Sequence, residues 1–132
     1  MQTLDLKQTL KPYYTAKVQP TLIDLPPMQY LMIDGNGDPN TAQMYKDAVA
    51  ALYSVAYTLR FTFKKQRAID YPVMPLEGLW WVNADDPFSY DDKSNWQWTM
   101  LILQPEVVTQ AEVEQAIADV RKKKNPPLLD RL

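Results

Sequence analysis

The segment Trp96-Gln-Trp-Thr-Met-Leu-Ile-Leu103 constrains this chain more than any other. Side chains alternate across a strand with a period of two, so Trp96, Trp98, Met100 and Ile102 fall on one face while Gln97 and Thr99 begin the other. Leu101 and Leu103 then make both faces apolar. A strand of this kind has to be covered on both sides, and the rest of the chain must supply its neighbours. Pro105 stops it, because proline has no N–H to give to a ladder.

The neighbours are legible. Met28-Gln-Tyr-Leu-Met-Ile33 reads as a buried strand. It is entered through an extended stretch in which Thr21 to Leu25 alternates partly and Pro26-Pro27 forbids helix. Asp34-Gly-Asn-Gly-Asp-Pro39 is a dense turn signal. The strongest helix follows, with Tyr45, Ala48, Leu52, Val55, Leu59 and Phe63 at helical spacing and Asn40 with Gln43 as its expected capping box. Lys64, Lys65 and Arg67 complement the negative end of its dipole. Ala51 and Ala56 widen the apolar face for close packing on a sheet.

Residues 69 to 82 give a second strand, entered through Pro72 and Pro75, and 83 to 95 a polar loop. The strands on either side of that loop are expected to pair as an antiparallel hairpin. Thr109 and Glu112 spell a capping box for a second amphipathic helix carrying Val113, Ala116, Ile117 and Val120. The basic run Arg121 to Lys124 closes it, and Asn125-Pro-Pro127 ends it. Residues 1 to 19, with Tyr13 and Tyr14 after Pro12, read as an irregular or weakly helical arm. The order strand, helix, strand, strand, helix predicts an α+β domain in which an antiparallel sheet packs on a long helix. Its parts are an arm at 1–19, a core at 20–104 and a C-terminal helix at 109–124, all within one domain of 1–132. Four tryptophans and a two-sided apolar strand exceed what so few elements cover, which predicts a partner surface.

Composition removes whole classes of function. A net charge of -2 argues against a nucleic-acid surface, which needs a dominant basic field. With no cysteine and no histidine, there is no disulfide, no thiolate nucleophile, no Ser-His-Asp triad and no His or Cys zinc site. Catalysis would have to run on Asp, Glu, Tyr, Lys or backbone groups. The start of the chain lacks the basic and apolar regions of a signal peptide, and no apolar run is long enough to span a bilayer, so a cytoplasmic protein without a membrane partner is expected. Gly35 to Pro39 before a helix lacks the phosphate-loop and dinucleotide patterns and reads as a turn. Asp85, Asp86, Asp91 and Asp92 lack the ordered spacing of a calcium loop and read as solvated. No metal and no cofactor is expected.

One acid stands apart. Glu77 lies in a probable strand beside Trp80 and Trp81, where a carboxylate is kept only if paired, hydrogen-bonded or useful. Alternation puts Glu77, Leu79 and Trp81 on one face and Gly78, Trp80 and Val82 on the other. Gly78 leaves space for a helix or for a ligand. Tyr53 and Tyr57 share a face of the long helix, Tyr30 lies on the first strand and Trp98 on the last; a stripe of aromatics suits a core as well as a ligand wall. An aromatic cleft with one acid fits a small planar, apolar or cationic molecule, held by stacking and cation-π attraction and by the carboxylate. A surface acid on an edge strand is the alternative reading of Glu77, and a protein-binding regulator an alternative reading of the sheet.

Three blocks together carry a family resemblance: Tyr30-Leu-Met-Ile-Asp-Gly-Asn-Gly-Asp-Pro39, Leu52-Tyr-Ser-Val-Ala-Tyr-Thr-Leu59 and Pro75-Leu-Glu-Gly-Leu-Trp-Trp81. They resemble the GyrI-like small-molecule-binding family, most of all its stand-alone bacterial branch, over about residues 10 to 124. The resemblance implies one of two strand-helix-strand-strand modules that enclose a ligand cleft about a pseudo-twofold. It further implies either binding of a small molecule or hydrolysis of cyclopropane-bearing DNA-alkylating natural products. In that hydrolytic reading Glu77 activates water, Tyr53 or Tyr57 stabilises the developing negative charge, and Trp80 or Trp81 walls the ligand. This chain matches one module plus a linking helix, so either it is a fragment of a longer protein or two copies pair as a homodimer to rebuild the cleft.

Overall fold

The computed structural model describes residues 1–16 and 18–132; of the expected N-terminal arm, residue 17 lies outside the described residues. The arm holds strand β1 (Gln2–Thr3) and two single helical turns, α1 (Leu6–Thr9) and α2 (Lys11–Tyr14). Asp5 caps α1 by accepting from the Gln8 N–H, and Pro12 sits in the first turn of α2, where its missing N–H costs nothing. Residues 18–27 have no helix or strand and leave Val18, Leu22, Ile23 and Leu25 exposed.

Strand β2 (Gln29–Asn36) is followed by the long helix α3 (Gln43–Arg67) and a two-residue strand β3 (Ile69–Asp70), which pairs in parallel with β1. Strands β4 (Glu77–Trp81) and β5 (Gln97–Gln104) come next, then helix α4 (Gln110–Lys123) and a short 3-10 turn at Leu129–Arg131. The main sheet has the order β2-β5-β4 and is antiparallel throughout. The two-sided apolar strand is thus the centre of the sheet, flanked on both edges, and the fold is the expected α+β arrangement.

Register divides the sheet into two faces. Leu31 pairs with Ile102, Ile33 with Met100 and Gly35 with Trp98, and all of them point toward α3. There they meet Ala48, Leu52, Val55, Leu59 and Phe63, which form one continuous buried core. Tyr45 of α3 meets the ring of Trp98 edge-on, 5.5 Å between centroids. The close approach depends on Gly35: the Trp98 ring lies flat over it, in the space a Cβ would fill. Helix α4 packs on α3 through Ala116 and Val120.

The expected capping box of α4 is present, with Thr109 Oγ1 accepting from the Glu112 N–H and Glu112 returning to the Thr109 N–H. The expected box at Asn40 and Gln43 is not. Helix α3 is capped from Ala42 without a side-chain bond. Asp38 instead accepts from the Asn40, Thr41 and Ala42 N–H groups and closes the turn itself. Gln43 reaches forward to Asp47. The Asp-Pro pair thus uses Asn40 up in the turn before the helix begins. At the other end Ala68 takes the left-handed conformation, φ 52°, that usually falls to glycine. The strand expected over 69–82 is split, because Pro72 and Pro75 interrupt pairing between β3 and β4.

Candidate functional site

The face of the sheet turned away from α3 carries the candidate site. On it the side chains fall in rows across the strands: Tyr30 with Leu103; Met32, Leu101 and Glu77; Asp34, Thr99 and Leu79; Asn36, Gln97 and Trp81. Among the described residues no long helix covers this face as α3 covers the other. At the Leu103 end the N-terminal arm lies over it, bringing Leu4, Leu6, Leu10 and Tyr14 against the core and burying Leu101 and Leu103. Toward the opposite end Met32, Leu79 and Trp81 stay 46%, 57% and 45% exposed.

Glu77 sits where the covered and open halves meet. Tyr14, delivered by α2, donates its hydroxyl to Glu77 Oε2 at 2.8 Å. Burial pushes the Tyr14 phenol pKa well above its ordinary value, and the hydrogen bond and the charge of Glu77 add to the effect. Burial also raises Tyr30, with the Glu77 charge as the second cause. Two phenols that stay protonated therefore stand beside one carboxylate. Among the described residues Glu77 has no Lys or Arg partner; the ion pairs join Arg60 to Asp70, Arg67 to Glu112 and Arg121 to Asp130, all elsewhere. A carboxylate held through one oxygen by a phenol keeps its other oxygen available as an acceptor. On the same face Thr99 donates to Asp34 Oδ1 in the next row.

The residues singled out from sequence divide between the two faces. Glu77, Tyr30 and Trp81 share the open face. Trp81 lies four positions along β4 from Glu77, about 13 Å at strand rise, so it borders the far end of the face while Leu79 stands between them. Trp80 and Trp98 point to the α3 side. Trp98 is fully buried core, and Trp80 folds back over Gly78, whose missing Cβ makes room for its ring rather than for a ligand. Tyr53 and Tyr57 lie on α3, with rings 6.2 Å apart, and the sheet separates them from Glu77. The phenol that reaches Glu77 is Tyr14. Sequence reasoning missed it because an arm of two four-residue turns has no periodicity; its signal was the Pro12-Tyr13-Tyr14 run in a polar stretch.

The acidic loop at 83–95 is built around aromatics. Phe88 stacks on Trp96 with 5.1 Å between centroids, Tyr90 packs edge-on to Phe88, and Trp96 Nε1 donates to the Ser89 carbonyl. The Asp92 carboxyl pKa is lowered by hydrogen bonds from Ser94. Among the described residues no group of three acidic side chains is placed to hold a metal ion, and no helix is long and apolar enough to cross a membrane.

Solved structures share this architecture. The chain is similar to an uncharacterized conserved protein from Listeria innocua, with 36% sequence identity and a TM-score of 0.86 over 97% of this chain. It is similar as well to two structures of a hydrolase from Listeria innocua. Each is 36% identical, with TM-scores of 0.85 and 0.77 over 98% and 92% of this chain. The chain spans less than two thirds of those longer chains, 63%, 64% and 61% respectively. No family model and no curated protein matches it.

Proposed function

We propose that this chain provides the acid-bearing half of a GyrI-like small-molecule hydrolase, with Glu77 as the general base and the open sheet face as one wall of the substrate cleft. The observation that carries this reading is the Tyr14–Glu77 hydrogen bond at the edge of the open face, where Glu77 has no cationic partner among the described residues. The likeness to a hydrolase of 36% identity supports hydrolysis over binding alone.

In this reading a water molecule hydrogen-bonded to Glu77 Oε1 gives its proton to the carboxylate as its oxygen attacks a strained ring carbon of a cyclopropane-bearing alkylator. The ring carbon–carbon bond breaks, and its electron pair passes into the conjugated carbonyl. In this reading Tyr30, whose pKa is raised by burial and by the Glu77 charge, turns its hydroxyl from Met28 Sδ to the oxygen that gains charge. Tyr14 fixes the rotamer of Glu77 so that Oε1 faces outward. This role replaces the one expected of Tyr53 and Tyr57. The remaining wall is what docks on Met32, Leu79 and Trp81, a second copy of the chain or a further module.

The test is product analysis by mass spectrometry after incubation with a cyclopropane-bearing alkylating natural product. Addition of one water is expected with the wild type, and a loss of about 100-fold or more in rate with Glu77→Gln, as for removal of a general base. Undiminished turnover in Glu77→Gln would exclude the carboxylate as base.

The exposed Leu79 and Trp81 on the same face favour a second reading, in which planar or cationic ligands are bound without turnover. Saturable quenching of tryptophan fluorescence by planar cationic dyes, with no product formed, distinguishes it.

A further inference from the structure

Glu77 is not the only acid on the open face. The three strands turn two carboxylates to it, Glu77 from β4 and Asp34 from β2, and, among the described residues, no Lys or Arg. Both acids are held in the same way. Tyr14 donates to Glu77 Oε2 and Thr99 to Asp34 Oδ1, so a neutral hydroxyl fixes one oxygen of each and leaves the other as an acceptor. No ion pair reaches either carboxylate among the described residues. Arg131 donates to the main-chain carbonyl of Asp34, not to its side chain. Two uncompensated negative charges on one surface make a local field that attracts cations.

Register fixes their separation. Asp34 lies in the row of Thr99 and Glu77 in the row of Leu101. They are therefore two strands apart and two residues out of step, about 12 Å between Cα atoms. Met32 and Leu79 stand at the ends of the opposite diagonal, and both are exposed. Asp34 is exposed as well, so the path from one acid to the other runs along the open part of the face.

We propose that Asp34 is a specificity-determining residue of the Glu77 site, selecting elongated molecules that carry a cationic amine or amidine roughly 12 Å from the group seated at Glu77. The proposal rests on the reading of Glu77 as the functional carboxylate and adds the charge and length of what it accepts. The cationic end meets Asp34 Oδ2, and the apolar middle of the molecule lies against Met32 and Leu79. A compact cation reaches one acid only, and an anion is repelled by both.

The probes are α,ω-bis(trimethylammonium)alkanes from butane to dodecane, each matched with the n-alkyltrimethylammonium ion of the same chain below its micelle concentration. Binding to the full chain is followed by calorimetry at low salt. Wild type is expected to bind the dication about fivefold more tightly than its single-headed match when the nitrogens stand roughly 12 Å apart, the upper end for an exposed ion pair. At the shortest spacing that preference is expected to vanish. Asp34→Asn and Glu77→Gln are each expected to reduce it, at every length, to the statistical advantage of two identical heads; circular dichroism confirms that both fold. A wild type that binds dications and monocations alike at all lengths would overturn the proposal without recourse to any variant. A preference lost in Glu77→Gln but kept in Asp34→Asn would overturn it too, and leave Glu77 standing. A preference lost in Asp34→Asn but kept in Glu77→Gln would uphold Asp34 as a cation anchor and sink the reading of Glu77.

Discussion

Tyr14 and Glu77 stand 63 positions apart in the chain and 2.8 Å apart in the fold. Nothing local in the sequence announces that pairing, because the distance is closed by the β1–β3 pairing and by the packing of Leu4, Leu6 and Leu10. The acid itself was legible: a lone carboxylate among apolar strand residues called for a partner. The identity of the partner was not, since Tyr13, Tyr14, Tyr30, Tyr53 and Tyr57 are equivalent as letters. Tyr14→Phe keeps the ring and removes the donor, so it is expected to lower hydrolytic kcat about tenfold while leaving the fold intact, readable by single-turnover kinetics. The buried phenols also set an alkaline limit. Tyr14, Tyr30, Tyr45 and Tyr71 all have folded-state pKa values raised above the ordinary 10, burial being the largest cause in each. A raised folded pKa means that the unfolded chain loses these protons first. Their contribution is therefore fully present below about pH 10 and is lost as pH rises beyond it. Absorbance at 295 nm should show these groups ionising later than the remaining tyrosines, with unfolding accompanying their titration. Tyr71 adds a separate test: its buried hydroxyl has no hydrogen-bond partner among the described residues. Tyr71→Phe should therefore be neutral or stabilising by up to about 1 kcal/mol in urea denaturation.

At the scale of elements, patterns with a physical period were readable and those set by packing were not. The two-sided strand at 97–104, the apolar stripe of α3 and the Thr109–Glu112 box all follow from spacing, and each is where the sequence places it. The start of α3 and the split strand after it were misread. In the first case Asp38 competes with Asn40 for the backbone groups of the turn; in the second the prolines outweigh β-propensity. Gly78 was open to two readings because a glycine in a strand reports a close approach without naming what approaches. Both strand glycines turn out to seat indole rings, Gly35 under Trp98 and Gly78 under Trp80, but the rings differ in freedom. Trp98 is fully enclosed by the core, whereas Trp80 is 42% exposed at the sheet edge and can swing away. Gly35→Ala should therefore cost about 2–3 kcal/mol or prevent folding, and Gly78→Ala less than about 1 kcal/mol, in thermal or urea unfolding. Equal losses would mean that the Trp80 ring is as firmly held as that of Trp98.

The whole molecule is asymmetric in how it treats its central strand. One side of β5 is sealed by α3, with Trp98, Met100 and Ile102 fully buried. The other side is sealed by the arm only at the Leu103 end; toward the opposite end the edge strands present Met32, Leu79 and Trp81 outward. Part of the exposed apolar surface lies on the face that holds Glu77, with Met32 on one edge strand and Leu79 and Trp81 on the other. Exposed apolar side chains of this kind on a small domain suit an interaction surface. Placing a charge at its centre separates an interface from a merely tolerated patch. Leu79→Lys leaves the α3 side of the sheet untouched, so its unfolding midpoint should stay within about 0.5 kcal/mol of the wild type in stability. If two copies close the cleft by meeting on this face, sedimentation equilibrium should show the wild type dimerising with rising concentration and Leu79→Lys remaining a monomer, because a twofold contact brings the new charge against its own counterpart. Trp81→Lys, four positions along β4 from Glu77, should then abolish turnover, which separates loss of the second wall from pairing of a new cation with the base. A wild type that stays monomeric at high concentration yet turns over substrate would mean that one copy suffices, with the face open to the ligand itself.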